Sequence, residues 1–248
     1  MVERPLLLFD MDGTLIFLED KPEYQGFSTN YASYISLRQQ MKIVASSHGV
    51  PIDEYDGLNR MAHIWNKTRA YAESHGFNEI GIKALMNAIN EPFTQQESAD
   101  HARSVLIPGT IETLVALQND GYLFGMVTNA SRMAYKRISE STEFGRFGKY
   151  FLDSITRDDC DFIKPDPEPI HRILELFGRS DFIYIGDSNH DAEATRAARG
   201  IFILVNTRGY NDETIKMLAP HAVIHSITEL PQILHNLARE LEQAQPRN

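Results

Sequence analysis

Short apolar runs along the chain stop abruptly at polar residues. Leu6–Phe9, residues 123–127, residues 182–185 and Ile201–Val205 are rich in β-branched or aromatic residues and read as buried strands. Between them the apolar positions take helical spacing, as in Ile111, Leu114, Val115 and Leu117 after Pro108-Gly109, and Ile170, Ile173, Leu174 and Phe177 after Pro169. Uninterrupted apolar strands alternating with helices predict a parallel sheet covered on both faces, because each crossover must return the chain to the same end. A further strand is expected between His221 and His225. Asp10, Thr128 and Asp187 follow these runs, which places them at the carboxyl ends of strands, where open α/β sheets bind ligands.

Residues 17–103 break the alternation, lacking good strands but carrying helical stripes. Tyr31, Tyr34, Ile35, Met41, Val44 and Ala45 mark one expected helix, Leu58, Met61, Ala62 and Trp65 a second, and Ile82, Leu85, Met86 and Ile89 a third. The expected fold class is therefore α/β: a Rossmann-like parallel-sheet core of residues 1–16 and 104–248, with residues 17–103 inserted as an α-helical cap. Glu19-Asp20-Lys21, Pro22 and Gly26 suggest a flexible lead-in to the insert, and residues 104–109 lead back to the sheet, so both connections are candidate hinges. Residues 240–248 are expected to be a frayed helix end.

Composition narrows the partners. Acidic residues outnumber basic ones, 34 to 24, for a formal charge of −10, which disfavours nucleic acid and anionic membranes. No apolar segment approaches the roughly twenty residues of a membrane span, and the start of the chain has no signal-peptide core. The single cysteine, Cys160, excludes an internal disulfide framework and a cysteine metal cage. A cytoplasmic location is the expectation. A small phosphorylated metabolite fits this charge only if a metal and a few local cations offset the field.

The strand ends carry the chemistry. In Asp10-Met11-Asp12-Gly13-Thr14-Leu15, Gly13 permits a sharp turn that brings two carboxylates around one substrate, one able to attack phosphorus and the other to move a proton. Such a pair invites a hard, oxygen-seeking cation, and Asp187 and Asp191 in Gly186-Asp187-Ser188-Asn189-His190-Asp191 add further oxygen donors. Magnesium suits that donor set. Thr128-Asn129, with Ser131 starting the next helix, offers hydroxyl and backbone donors to phosphate, and Lys164 in Lys164-Pro165-Asp166-Pro167 offers a fixed cation. The nine histidines form no convincing metal cluster along the chain.

These four motifs, in this order, resemble the haloacid dehalogenase-like hydrolase superfamily, in particular its phosphatase branch with a helical cap inserted after the first motif, and within it the phosphoglycolate-type small-acid phosphatases. The resemblance implies Asp10 as nucleophile, Asp12 as general acid and then base, Thr128 and Asn129 as phosphate binders, and Lys164 as both charge stabiliser and phosphate contact. It implies Mg2+ held by Asp10, the backbone carbonyl of Asp12, and Asp187, with Asp191 either a further metal ligand or the group that orients Lys164. The implied activity is magnesium-dependent hydrolysis of a small phosphomonoester through an aspartyl phosphate on Asp10. Three alternatives stand beside it: a phosphosugar mutase, a phosphonate hydrolase using a cap lysine such as Lys21, Lys42, Lys67 or Lys83, and a non-catalytic binding protein. Arg60, Lys67 and Arg69 are candidate anion contacts in the cap, and Tyr24, Phe27 and Trp65 candidate pocket walls; solvated or packing roles are the simpler expectation for most of them.

Overall fold

The computed structural model describes residues 4–18 and 32–244. The expected lead-in of residues 19–31, with Lys21, Tyr24, Phe27 and Tyr31, lies outside the described residues.

The chain begins with β1 (Leu6–Phe9) and β2 (Ile16–Leu18), followed by the helices α1 (Ala32–Ser47), α2 (Met61–Ser74) and α3 (Glu79–His101). It continues through β3 (Ser104–Leu106), α4 (Thr110–Asn119), β4 (Phe124–Val127), α5 (Arg132–Ser139), β5 (Asp153–Ile155) and α6 (Glu168–Phe177). The last elements are β6 (Phe182–Gly186), α7 (Asn189–Ala197), β7 (Ile201–Val205), α8 (Asp212–Leu218), β8 (Ala222–Ile224) and α9 (Leu230–Ala244). Six strands form one sheet in the order β5-β4-β1-β6-β7-β8, and every neighbouring pair is parallel.

The strand sequences explain how both faces are buried. Along β1, Leu7 and Phe9 enter one core and Leu6 and Leu8 the other; β6 and β7 divide their residues in the same way. Successive side chains point to opposite faces, so a strand covered on both sides must be apolar throughout. α4, α5 and α9 cover the first face, through residues such as Leu114, Tyr135 and Leu234. α6, α7 and α8 cover the second, through Ile173, Ala194 and Leu218.

The three long helices between β2 and β3 form a third core of their own from Leu37, Met41, Ile64, Trp65, Leu85 and Ile89, which also takes in Ile163 from the sheet unit. Two details differ from the sequence pattern. Ile35 is 42% exposed, because the buried stripe of α1 runs through Tyr34, Leu37, Met41 and Ala45 and leaves the neighbouring position facing out. α3 continues well beyond Ile89, through Pro92, to His101. A proline removes one backbone bond, and tertiary packing of Phe93, Glu97 and His101 holds the helix across that gap.

β2 and β3 pair antiparallel, Phe17 against Val105, so the two connections to the helical insert are joined as one ribbon that straddles the expected break at residue 17. The edge strand β5 has only three residues and gave no usable pattern in the sequence. The helix expected to fray at residues 240–248 is regular as far as Ala244, and the residues beyond it are outside the description. Among the described residues no helix is long and apolar enough to cross a membrane.

Leu123 belongs to an apolar run by sequence but precedes β4 and is 45% exposed, whereas Leu8 is fully buried. Leu8→Ala is therefore expected to cost about 2–5 kcal/mol, and Leu123→Ala no more than about 0.5–1 kcal/mol, as read from urea unfolding midpoints.

Candidate active site at the strand ends

β1 hands its last backbone bond to Asp10, whose N–H donates to the Ile185 carbonyl at 2.9 Å. The chain then folds back: the Met11 carbonyl accepts from Leu15 at 2.9 Å, and the Gly13 N–H donates to the Ile16 carbonyl at 2.7 Å. Gly13 has φ of +88°, and a Cβ there would lie 2.1 Å from Asp187 Oδ2, so the position admits no side chain on either count. This turn brings Asp10 and Asp12 to the wall of one cleft of about 160 Å³.

Lys164 is the hub of the site. Its buried ammonium lies 2.9 Å from Asp10 Oδ1, 2.6 Å from Asp191 Oδ1, 2.6 Å from the Tyr184 hydroxyl and 2.9 Å from the Val127 carbonyl. Burial alone would lower its pKa, but the pull of Asp10 and Asp191 outweighs that, and the net shift is upward. Burial pushes the Asp10 carboxyl well above its ordinary range, with Lys164 opposing and Asp191, Asp187 and Asp12 adding repulsion. For Asp191 burial also acts upward, yet Lys164 and the Ser188 hydrogen bonds win and its pKa falls.

Both oxygens of Asp191 accept hydrogen bonds. One oxygen takes Lys164, and the other accepts from Ser188 N–H at 3.0 Å and Ser188 Oγ at 2.6 Å, closing a capping box at the start of α7. Asp191 thus contacts Lys164, and its carboxylate also stands in the group of three that could hold a cation.

Asp187 is the opposite case. Both of its oxygens are buried and neither has an aligned hydrogen bond, although Arg208 Nε makes a charge contact with Oδ2 at 2.6 Å. Burial drives its pKa up to about 6, with Arg208 restraining the rise. Carboxylate oxygens of Asp10, Asp187 and Asp191 lie within 4.8 Å of one another. Among the described residues these three carboxylates pair with the cations Lys164 and Arg208, and Asp187 oxygens without an aligned hydrogen bond are the kind of ligand a hard divalent ion takes. These residues fit magnesium.

The other expected residues separate into two groups. Thr128 lines the cleft; its Oγ1 accepts from the Ala130 N–H at 3.1 Å, which leaves the hydroxyl hydrogen available. Asn129 also reaches the cleft, but its side-chain amide is occupied by Lys164, donating to the carbonyl at 2.8 Å and accepting from the N–H at 3.0 Å. It splices the Lys164 loop to the end of β4. Ser131 caps α5 as expected, accepting from the Ala134 N–H at 3.2 Å.

Among the expected cap residues, Arg60 lines the cleft. Lys67 instead pairs with Glu54 at 2.5 Å, Arg69 pairs with Glu73 and Asp161, and Trp65 packs in the third core. Of the described lysines on which a phosphonate hydrolase would depend, Lys42 donates to the Tyr55 and Leu58 carbonyls, Lys67 is the one paired with Glu54, and Lys83 is exposed; Lys21 lies outside the described residues. Cys160 is an ordinary thiol whose pKa burial pushes up to about 12.

Three residues escaped the sequence reading. Arg208 follows β7 by three positions and could have been found by extending the strand-end argument to that run. His101, at the end of α3, lies 3.0 Å from Asp12 Oδ1. Arg157 is completely buried; it donates to both Glu97 oxygens at 2.6 and 3.1 Å and to the Asn129 carbonyl at 2.6 Å, and it stacks 3.9 Å over Phe93. Neither His101 nor Arg157 has a local signature, since each acts across tens of residues.

An open parallel sheet whose strand ends gather an aspartate, a buried lysine and a carboxylate cluster beneath a helical insert defines a hydrolase of the α/β class. The family model described as haloacid dehalogenase-like hydrolase matches residues 5–199, and the chain belongs to that family. It is 24% identical over 234 residues to Phosphoglycolate phosphatase 1 of Pseudomonas aeruginosa, a match covering 91% of this chain and 78% of that one. It is 34% identical over 128 residues to Phosphoglycolate phosphatase of Escherichia coli, where the match spans 50% of this chain and about half, 49%, of the relative. A solved structure from Haemophilus somnus, described as a predicted phosphoglycolate phosphatase, superimposes with a TM-score of 0.56 at 19% identity, covering 94% of this chain and 99% of that one. A hydrolase from Pseudomonas syringae gives 0.58 at 16% identity, with 94% and 99% covered. At these identities the two structures show a shared fold.

Breaking the buried Arg157–Glu97 pair leaves an uncompensated charge. Arg157→Leu is expected to lower stability by roughly 3–5 kcal/mol, and Arg157→Leu with Glu97→Leu to recover most of that loss, as measured by chemical denaturation of both variants.

Proposed function

We propose that this chain is a magnesium-dependent phosphatase that hydrolyses a small phosphomonoester through an aspartyl phosphate on Asp10. The observation that carries the reading is the buried Lys164 bridging Asp10 and Asp191 beside a buried Asp187 whose oxygens have an ion-pair contact with Arg208 but no aligned hydrogen bond. The family match and the phosphatase names of the relatives support it.

Lys164 holds Asp10 Oδ1 and leaves Oδ2 to attack phosphorus. The new bond joins Asp10 to the phosphoryl group, the bond from phosphorus to the leaving oxygen breaks, and Asp12 delivers its proton to that oxygen. In the second half Asp12 takes a proton from water, the water oxygen bonds to phosphorus, and Asp10 departs with inorganic phosphate released. The Thr128 hydroxyl donates to a phosphoryl oxygen, and the charge of Lys164, held beside Asp10, attracts the phosphoryl group and offsets the repulsion between two anions. When bound, magnesium supplies further charge neutralisation and polarises the phosphoryl group, held by Asp10, Asp187 and the main-chain carbonyl of Asp12. Asp191 serves that site by fixing Lys164.

Residues 17–103 act as the cap over a core of residues 1–16 and 104–248, and Arg60 in that cap faces the substrate. A phosphorylated small acid of the phosphoglycolate type is the proposed substrate class, supported by the relatives' names and by the small cleft. Nucleic acid and membranes are not expected partners at a formal charge of −10, and the cytoplasm is the proposed location.

The test is phosphate release from a panel of phosphorylated acids, sugars and nucleotides, with magnesium or excess chelator. Wild type should release phosphate only with magnesium, and Asp10→Asn should fall to background while keeping the wild-type circular dichroism spectrum. Isomerised product without free phosphate would replace the proposal with a mutase. Asp187→Asn is expected to raise the magnesium concentration for half-maximal rate about tenfold or more, a shift read directly from the titration.

A further inference from the structure

His101 closes α3 with its side chain only 3% exposed, and its Nε2 donates to Asp12 Oδ1 at 3.0 Å. Among the described residues this is the hydrogen bond made by the Asp12 carboxylate, whose side chain is 24% exposed and lines the cleft. The other imidazole nitrogen, Nδ1, is buried with no hydrogen-bond partner. That is an odd choice for packing. A buried donor or acceptor without a partner costs free energy, and an apolar ring would fill the same space without that cost. The imidazole is accounted for by what Nε2 does.

We propose that His101 is a positioning residue for Asp12: it pins Oδ1 so that Oδ2 is presented to the leaving oxygen of the substrate. This rests on the phosphatase reading and extends it. A carboxyl group on a turn swings freely about its Cβ–Cγ bond, and proton transfer requires it within about 2.6–3.2 Å of its target. The Asp12 turn provides no internal donor to its side chain, so the restraint comes from outside, from the last residue of a helix belonging to the insert. Because α3 runs straight into the β2–β3 ribbon, its end is anchored to the same turn that carries Asp12. The placement of the insert and the aim of the proposed general acid are therefore joined through one hydrogen bond.

The dependence on leaving group separates this role from a structural one. An alkyl phosphomonoester needs a proton on its leaving oxygen, whereas p-nitrophenyl phosphate releases a stable anion and does not. kcat/KM should be measured for both substrates with wild type, Asp12→Asn, His101→Phe and His101→Gln, along with the melting temperature of each. His101→Phe is expected to melt no lower than wild type, to lose about 10–100-fold on the alkyl ester and to change little on p-nitrophenyl phosphate. His101→Gln, which keeps a side-chain N–H, should recover most of the alkyl activity. An equal loss on both substrates, or wild-type alkyl activity in His101→Phe, overturns the proposal. If His101→Phe does not fold, the ratio of the two activities in His101→Leu decides in the same way. Wild-type alkyl activity in Asp12→Asn would instead remove Asp12 as the acid and with it the reading on which the proposal stands.

Discussion

A lysine ammonium buried among carboxylates is the constraint around which the rest of this site is arranged. Isolated, Lys164 would be strongly disfavoured in the interior, and so would Asp10 and Asp191; together they satisfy one another. The arrangement works only if three separate loops deliver their residues to one point, which is what the parallel sheet does. β1 brings Asp10, the turn after β6 brings Asp191, and the Asn129 amide clamps the Lys164 loop onto the end of β4. Tyr184, pointing from β6 beneath the site, adds the acceptor that completes the lysine's shell.

The same electrostatic logic separates the two acidic residues of the later motif. Asp191 accepts from Lys164 on one oxygen and from Ser188 on the other, and its charge is stabilised. Asp187, nearby, has a guanidinium contact but no aligned donor, and its charge is costly. A residue held in this condition next to a glycine that cannot accept a side chain is suited to binding a cation rather than to supporting the fold. Arg208 keeps that charge tolerable in its absence.

The helical insert is linked to this chemistry by specific side-chain contacts, not by surface complementarity alone. Arg157 ties Glu97 of α3 to the Asn129 carbonyl, and His101 ties the end of α3 to Asp12. Glu97 in turn accepts from the Ser131 N–H at the start of α5. These links run through α3, and α2 adds another beside Lys164: Asn66 donates to the Ile163 carbonyl at 2.7 Å and accepts from its N–H at 2.9 Å.

The sequence by itself determined the sheet and which motif residues gather at its strand ends. Continuous apolar runs can be accommodated only in strands buried on both faces, and the polar residues that end them must emerge at one edge; Asp10, Thr128 and Asp187 were legible for that reason, and Lys164 and Asp191 through the motifs that share their order. The helical character of the insert was legible too, from Met41, Leu85 and their neighbours, although the exact stripe of α1 and the continuation of α3 past Pro92 were not. Only the tertiary structure decided what Asn129 and Asp191 do with their side chains, and that His101 and Arg157 reach the site. A lone histidine or arginine carries no periodicity and no local partner in the chain. Its role is set by groups that arrive from 60 to 89 positions away, as for Arg157 with Glu97 and His101 with Asp12, and that distance is closed only by packing.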